Sequence, residues 1–153
     1  MASADHHHTV ARPGESRAFH FESRWLVDAR VDRAWEALVD VAGWSDWWPG
    51  VRARAGAGRR VSLVALSPLG FSLAFEVEPT VVEPPHRTEF VAEGDLRGHG
   101  SWTCHAQGQG TRMEIVWCVC SGRLPIRFSR PLASWAHGAL MRRGERGLRA
   151  ALR

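Results

Sequence analysis

Apolar residues recur along this chain at two spacings, and the switches between them divide it into elements. From Ala18 the spacing is two: Phe19, Phe21, Trp25 and Val27 share one side and predict a first strand. At Val31 it becomes helical, with Ala34, Trp35 and Leu38 following, and predicts a short helix from about Ala29 to Val39. A second helical piece is expected over Ala42–Trp48, with Asp40 placed to accept backbone N–H bonds near its start and Pro49-Gly50 to stop it. Spacing two then returns. Val51–Arg54, Arg59–Leu66, Phe71–Glu83, Arg87–Glu93, Leu96–Ala106 and Thr111–Ser121 read as strands divided by turn signals such as Ser67-Pro68-Leu69-Gly70 and Gln107-Gly108-Gln109-Gly110.

The chain ends on a long amphipathic helix, Pro131 to Leu152. Stepping about 100° per residue puts Leu132, Ala136, Ala139, Leu140, Gly144, Gly147, Leu148 and Ala151 on one face and Arg142, Glu145, Arg146, Arg149 and Arg153 opposite. At 1.5 Å per residue it runs ~33 Å and needs a partner surface of that length. Consecutive strands on short loops make an antiparallel meander that can supply one. The fold class expected is therefore α+β: a curved antiparallel sheet of about six to seven strands wrapped around the terminal helix, with two short helices after the first strand. Gly98 and Gly100 share the apolar side of their strand with Leu96, Trp102 and Cys104, while Gly144 and Gly147 lie on the apolar side of the helix. Glycines on both facing surfaces give up side-chain volume, which predicts an enclosed hollow.

Composition refines this picture at three points. A chain of 153 residues fits one domain, large enough to bury roughly 68–70% of its unfolded surface. Residues 1–17 are polar and without period and read as a flexible leader, leaving 18–153 as a single domain. All twenty basic side chains are Arg, and the net charge of +4 is concentrated at the C-terminus, where residues 123–153 carry eight Arg against Glu145 alone. That basic face is expected to be solvated, so no nucleic-acid partner is assigned, and peripheral contact with an acidic partner or membrane stays open. Cys104, Cys118 and Cys120 are an odd number without a secretory signal, which points to a reducing cytoplasm. Cys118 and Cys120 share one side of a strand with Cα atoms ~6.6 Å apart, poor disulfide geometry. No apolar run reaches the ~18 residues of a membrane span.

Candidate chemistry is sparse. There are eight Trp and no Tyr, and rigid flat side chains suit planar ligands. The expected wall comprises Trp48, Trp102, Trp117 and Trp135 with Gly98, Gly100, Leu140 and Gly144. His137, at the edge of the helix stripe, is the candidate acid or base, or else a hydrogen-bonding anchor for the helix. Arg143 would bind a carboxylate or enolate oxygen, or reach outward to water. His6, His7 and His8 can ligate metal, but in an aperiodic tail they are assigned no site, so neither metal nor cofactor is expected. No Ser-His-Asp order, H-E-x-x-H or phosphate-cradling glycine loop is present.

With D-V-A-G-W-S-D-W-W-P at 40–49, G-D-L-R-G-H-G-S-W at 94–102, G-T at 110–111 and W-A-H-G-A-L-M-R-R-G-E-R-G-L at 135–148, the chain resembles the START/SRPBCC superfamily from about Phe19 to Leu152. Within it, the sequence is similar to the bacterial polyketide cyclase/dehydrase and lipid-transport group. The resemblance implies the helix-grip fold and a cavity between sheet and long helix that holds a mostly apolar small molecule. Three functions follow as expectations: a carrier of a hydrophobic, aromatic or polyketide-like ligand; a cyclase or dehydratase using His137 and Arg143 in the same cavity; and an interaction module using the basic helix face. Either a monomer or a homodimer is compatible.

Overall fold

A computed structural model describes residues 7–153, apart from the side chain of Pro125; the first six residues of the leader, His6 among them, lie outside the described residues. The elements are β1 (Phe19–Val27), α1 (Val31–Val39), a 3-10 turn (Val41–Gly43), α2 (Trp44–Trp47), β2 (Val51–Ala55), β3 (Val61–Leu66), β4 (Ser72–Glu83), β5 (Arg87–Gly94), β6 (Arg97–Gln107), β7 (Gly110–Cys120), α3 (Leu124–Phe128) and α4 (Arg130–Ala151). The seven strands form one antiparallel sheet in the order β1-β7-β6-β5-β4-β3-β2. β2 to β7 is the expected meander. β1 joins its far edge beside β7, with Phe19, Phe21 and Trp25 opposite Val119, Trp117 and Met113, so that like faces meet. Gly108, at φ +60°, opens the two-residue β6–β7 turn, which demands a left-handed residue at that position.

The second helical piece departs from expectation. It splits into a 3-10 turn and a four-residue helix, and the Asp40 side chain makes no capping bond. The Asp40 carbonyl accepts from Gly43 N–H instead, at 3.0 Å. Indoles hold this segment in place: Trp44 Nε1–H donates to Leu38 O and Trp48 Nε1–H to Leu140 O, both at 3.0 Å. Trp25, Trp44, Trp48 and Trp102 pack with centroids 5.1–6.3 Å apart, mostly tilted or edge-on as aromatic quadrupoles prefer.

On α4 the buried residues are Met141, Gly144 and Leu148. The face is thus narrower than the sequence pattern suggested: Leu132 is 38% exposed, and Ala151 is also exposed. The second half of α4 seats on the tryptophan cluster. The first half sets Ala133, Ala136, His137 and Leu140 over the concave sheet and does not fill it.

The described part of the leader, residues 7–17, is bonded to the convex sheet face. Arg97 donates to both carboxylate oxygens of Glu15, at 2.9 and 2.7 Å, and to Val10 O. Ser16 N–H donates to Ser121 O at 2.8 Å, and Ser121 N–H to Ser16 Oγ at 3.1 Å. The hydrogen bond from Arg97 holds the Glu15 carboxyl down at about 2. Stability from that carboxylate is therefore present above pH 4.5 and lost as the pH falls towards 2. With both side chains more than four-fifths buried, Arg97→Met should cost ~1.5–3 kcal/mol. Urea unfolding would measure the loss, and proteolysis within residues 7–15 should accelerate.

Candidate functional site

Two hollows lie inside the grip. The first is bounded by α4 (Ala133, Ala136, His137, Leu140, Met141), β1 and β7 (Phe19, Phe21, Trp117, Val119), β3 and β4 (Leu63, Ala65, Leu73, Phe75), and α2 with Trp48. Its cavity volume is about 120 Å³. On that measure an apolar cavity of about 150 Å³ takes one benzene. The second hollow, about 270 Å³ on the same measure, lies between α1 and strands β4–β6, lined by Leu38, Val77, Phe90 and Trp102 among others. Trp44 and Trp117 border both hollows and partition them. Trp117 is braced edge-on by Phe75 and Phe90, with centroids 6.1 and 4.7 Å away.

Polar atoms are few here. His137 stacks on Phe21 with centroids 4.0 Å apart and planes 12° apart. Its Nε2 is buried and has no hydrogen-bond partner among the described residues, and burial pushes its pKa down to about 4. The imidazole is thus neutral at physiological pH, with a hydrogen-bonding nitrogen left unanswered inside an apolar wall. Ser67, at the rim, already accepts from Leu69 N–H through its hydroxyl. In the second hollow Trp102, 1% exposed, likewise has a buried Nε1 with no partner among the described residues. Each hollow thus carries one unanswered nitrogen.

The expected site residues divide. His137, Leu140, Trp48 and Trp117 line the first hollow and Trp102 the second. Trp135 is 52% exposed and outside both. Arg143 is outside both as well, its guanidinium lying beside Gly50 in the turn after α2, so the His137–Arg143 pair does not converge on one cavity. The glycines expected to open the hollow do not do so. A Cβ on Gly144 would stand 2.5 Å from Trp48 and 2.7 Å from Trp25, and one on Gly100 would stand 2.6 Å from the Phe90 ring. Gly98 is closed off by the Cys118 carbonyl and Gly147 by the Trp47 carbonyl. These glycines let neighbours approach closely and leave no room. The small side chains that line the first hollow are Ala65, Ala133 and Ala136 instead.

Sequence reasoning missed Phe71 and Ile126 as wall residues. Phe71 was available, since it alternates in phase with Leu73 and Phe75. Ile126 belongs to α3, whose only local signal is a proline in its first turn. Of the basic face of α4, Arg149 is engaged by Leu26 O and Glu145, whereas Arg142 and Arg146 are exposed. No described helix is long and apolar enough to cross a membrane.

Comparison with known proteins places this architecture. The profile of the family described as "Polyketide cyclase / dehydrase and lipid transport" matches residues 18–153. No curated protein matches the chain. Among solved structures, a conserved protein from Geobacillus kaustophilus is similar at TM-score 0.75 and 11% identity, covering 88% of this chain and 95% of that one. The Zhui aromatase/cyclase from Streptomyces sp. R1128 is similar at TM-score 0.73 and 15% identity, covering 89% and 94%. A START superfamily protein from Mycobacterium smegmatis is similar at TM-score 0.69 and 15% identity, covering 87% and 96%. At these identities the likeness is one of fold.

Proposed function

The chain belongs to the polyketide cyclase/dehydrase and lipid transport family, and on that premise we propose that it binds a planar, largely apolar small molecule bearing a hydroxyl or carbonyl. The observation that carries this is the first hollow itself, an apolar chamber whose His137 Nε2 is buried and unpartnered. Leaving such an atom unsatisfied costs about 1–3 kcal/mol, which a guest's hydrogen bond would offset. As it stands, the first chamber suits a guest of about one ring. Swinging Trp117 aside would join it to the second and admit a longer, multi-ring guest with Trp102 Nε1 at its far end.

Cyclisation is the second reading, and it draws on the fold shared with the Zhui aromatase/cyclase. A hollow that folds a reactive chain supplies proximity with few catalytic groups. His137, with its pKa near 4, is too weak a base and too seldom protonated at neutral pH to carry much proton transfer, and Arg143 does not reach it. The balance favours holding over turnover.

Titration with phenol, a one-ring guest with a hydroxyl, followed by tryptophan fluorescence, tests the proposal. Ala136→Phe fills the first chamber and should weaken binding at least about tenfold, or 1.4 kcal/mol, while the protein remains folded by circular dichroism. Absence of phenol binding, or binding indifferent to Ala136→Phe, would sink the assignment. Phenol has no chain to cyclise, so the cyclisation reading is tested by turnover of a linear poly-β-carbonyl compound, lost in His137→Gln.

A further inference from the structure

The convex side of the sheet carries a cluster that the ligand chamber does not use. Antiparallel register sets His20 of β1 directly opposite Cys118 of β7, and Cys118 opposite His99 of β6, so the three side chains stand in one row across three strands. The leader passes over this row. Thr9 Oγ1 donates to Cys118 O at 2.8 Å and lies 3.2 Å from His99 Nδ1, and this anchorage brings His8 down onto the sheet. One nitrogen from His8, one from His20 and the sulfur of Cys118 all lie within 4.8 Å of one another. His8 Nδ1 stands 3.9 Å from Cys118 Sγ.

We infer that His8, His20 and Cys118 form a binding site for a borderline divalent metal ion of the zinc kind, which fastens the N-terminal leader to the outer face of the sheet. The donor chemistry is two imidazoles and one thiolate, with water completing a tetrahedron. Tetrahedral ligands held at ~2.0–2.3 Å from zinc stand roughly 3.3–3.8 Å apart. Closing the present triangle therefore takes small rotations, and both histidines are exposed enough to make them. Supporting contacts are already in place. Glu22 Oε1 is 3.0 Å from His20 Nε2; the tautomer that donates there carries its lone pair on Nδ1, the carboxylate–histidine arrangement that orients metal-bound imidazoles. Thr9 N–H points at Cys118 Sγ at 3.4 Å, a hydrogen bond that a thiolate accepts better than a thiol.

A His run in an aperiodic tail has no ligand spacing, so periodicity alone predicts no metal there. What the spacing lacks, the sheet supplies: His20 and Cys118 are ninety-eight positions apart in sequence and adjacent in register. The placement has a consequence for the chamber. His20 sits between Phe19 and Phe21, and Cys118 between Trp117 and Val119, and all four of those neighbours line the first hollow. A bound ion would brace the back of that wall.

The test is titration of the full-length chain with cobalt(II), then zinc competition, in a thiol-free reductant. One equivalent should bind, giving a sulfur-to-cobalt charge-transfer band and the intense visible bands of tetrahedral cobalt, both bleached by zinc. Cys118→Ser should abolish the charge-transfer band. Since that residue is buried, the exposed ligands give the safer variants: His20→Asn, and a combined His6→Asn, His7→Asn, His8→Asn variant that prevents a neighbour from substituting. Each should weaken zinc by more than the 10–100-fold that losing a supporting partner alone costs. No charge-transfer band in the wild-type chain, or affinity unchanged in both histidine variants, would overturn the site.

Discussion

Gly147→Ala is expected to destabilise this protein by ~2–3 kcal/mol, although alanine is the better helix former by about 1 kcal/mol. The added methyl would overlap the Trp47 carbonyl oxygen and stand 3.3 Å from Pro49 Cδ. The first is backbone at the end of α2 and the second the ring of the proline that follows it, in a segment held by the Trp48 indole bond to Leu140 O. No rotamer can relieve the clash, so α4 must move off the tryptophan cluster; overpacking of this sort costs about 1–3 kcal/mol and occasionally more. For a chain of this size that is a fall in Tm of about 5–10 °C. Gly138→Ala provides the contrast on the same helix. Its methyl would meet only the guanidinium end of Arg142, at 3.3 Å, which can swing away. There the propensity term wins, and a gain of ~0.5–1 kcal/mol is expected. If both substitutions stabilise the protein in thermal melts, α4 does not press on α2 as described.

That contrast also marks the limit of what the pattern of residues conveys. Periodicity assigned Gly144 and Gly147 to the apolar face of the last helix, and it assigned Phe19, Phe21, Trp102 and Trp117 to the concave face of the sheet, because alternation and helical spacing report which side a residue takes. Neither reports what lies opposite. A glycine facing a cavity and a glycine under an indole have the same period, so the pattern credits the hollow to Gly98, Gly100, Gly144 and Gly147, whereas the small residues lining it are Ala65, Ala133 and Ala136. Trp135 and Trp48 illustrate the same gap. One protrudes and the other walls the chamber, a difference set by the Trp48 bond to Leu140 O. The row His20–Cys118–His99 depends on pairing β1 with β7, a long-range register that no local signal encodes.

His137 sets the second large effect. In the folded protein burial holds its pKa near 4, against 6.5 for the exposed side chain. At pH 7 both folded and unfolded chains carry it neutral. As the pH falls below 6.5 the unfolded chain takes up a proton that the folded chain refuses until about pH 4, so unfolding is favoured progressively across that window and no further below it. At about 1.36 kcal/mol per unit, the loss attributable to this one residue is ~2–4 kcal/mol. Since whole domains are stable by only about 5–15 kcal/mol, acid sensitivity should be pronounced. The Glu15–Arg97 pair does not confuse the assignment, because its contribution fades only below pH 4.5. His137→Leu removes both the titration and the orphaned nitrogen. The variant should unfold later than wild type by ~1–2 kcal/mol at pH 7, and its advantage should widen by the further 2–4 kcal/mol on going to pH 4. Its discrimination between phenol and benzene should shrink, because only the hydroxylated guest answers Nε2. Urea titrations of both proteins at pH 7, 5.5 and 4 measure the widening. Parallel pH profiles would mean that the imidazole is solvated, and with it would go the reason for expecting a polar-ended guest.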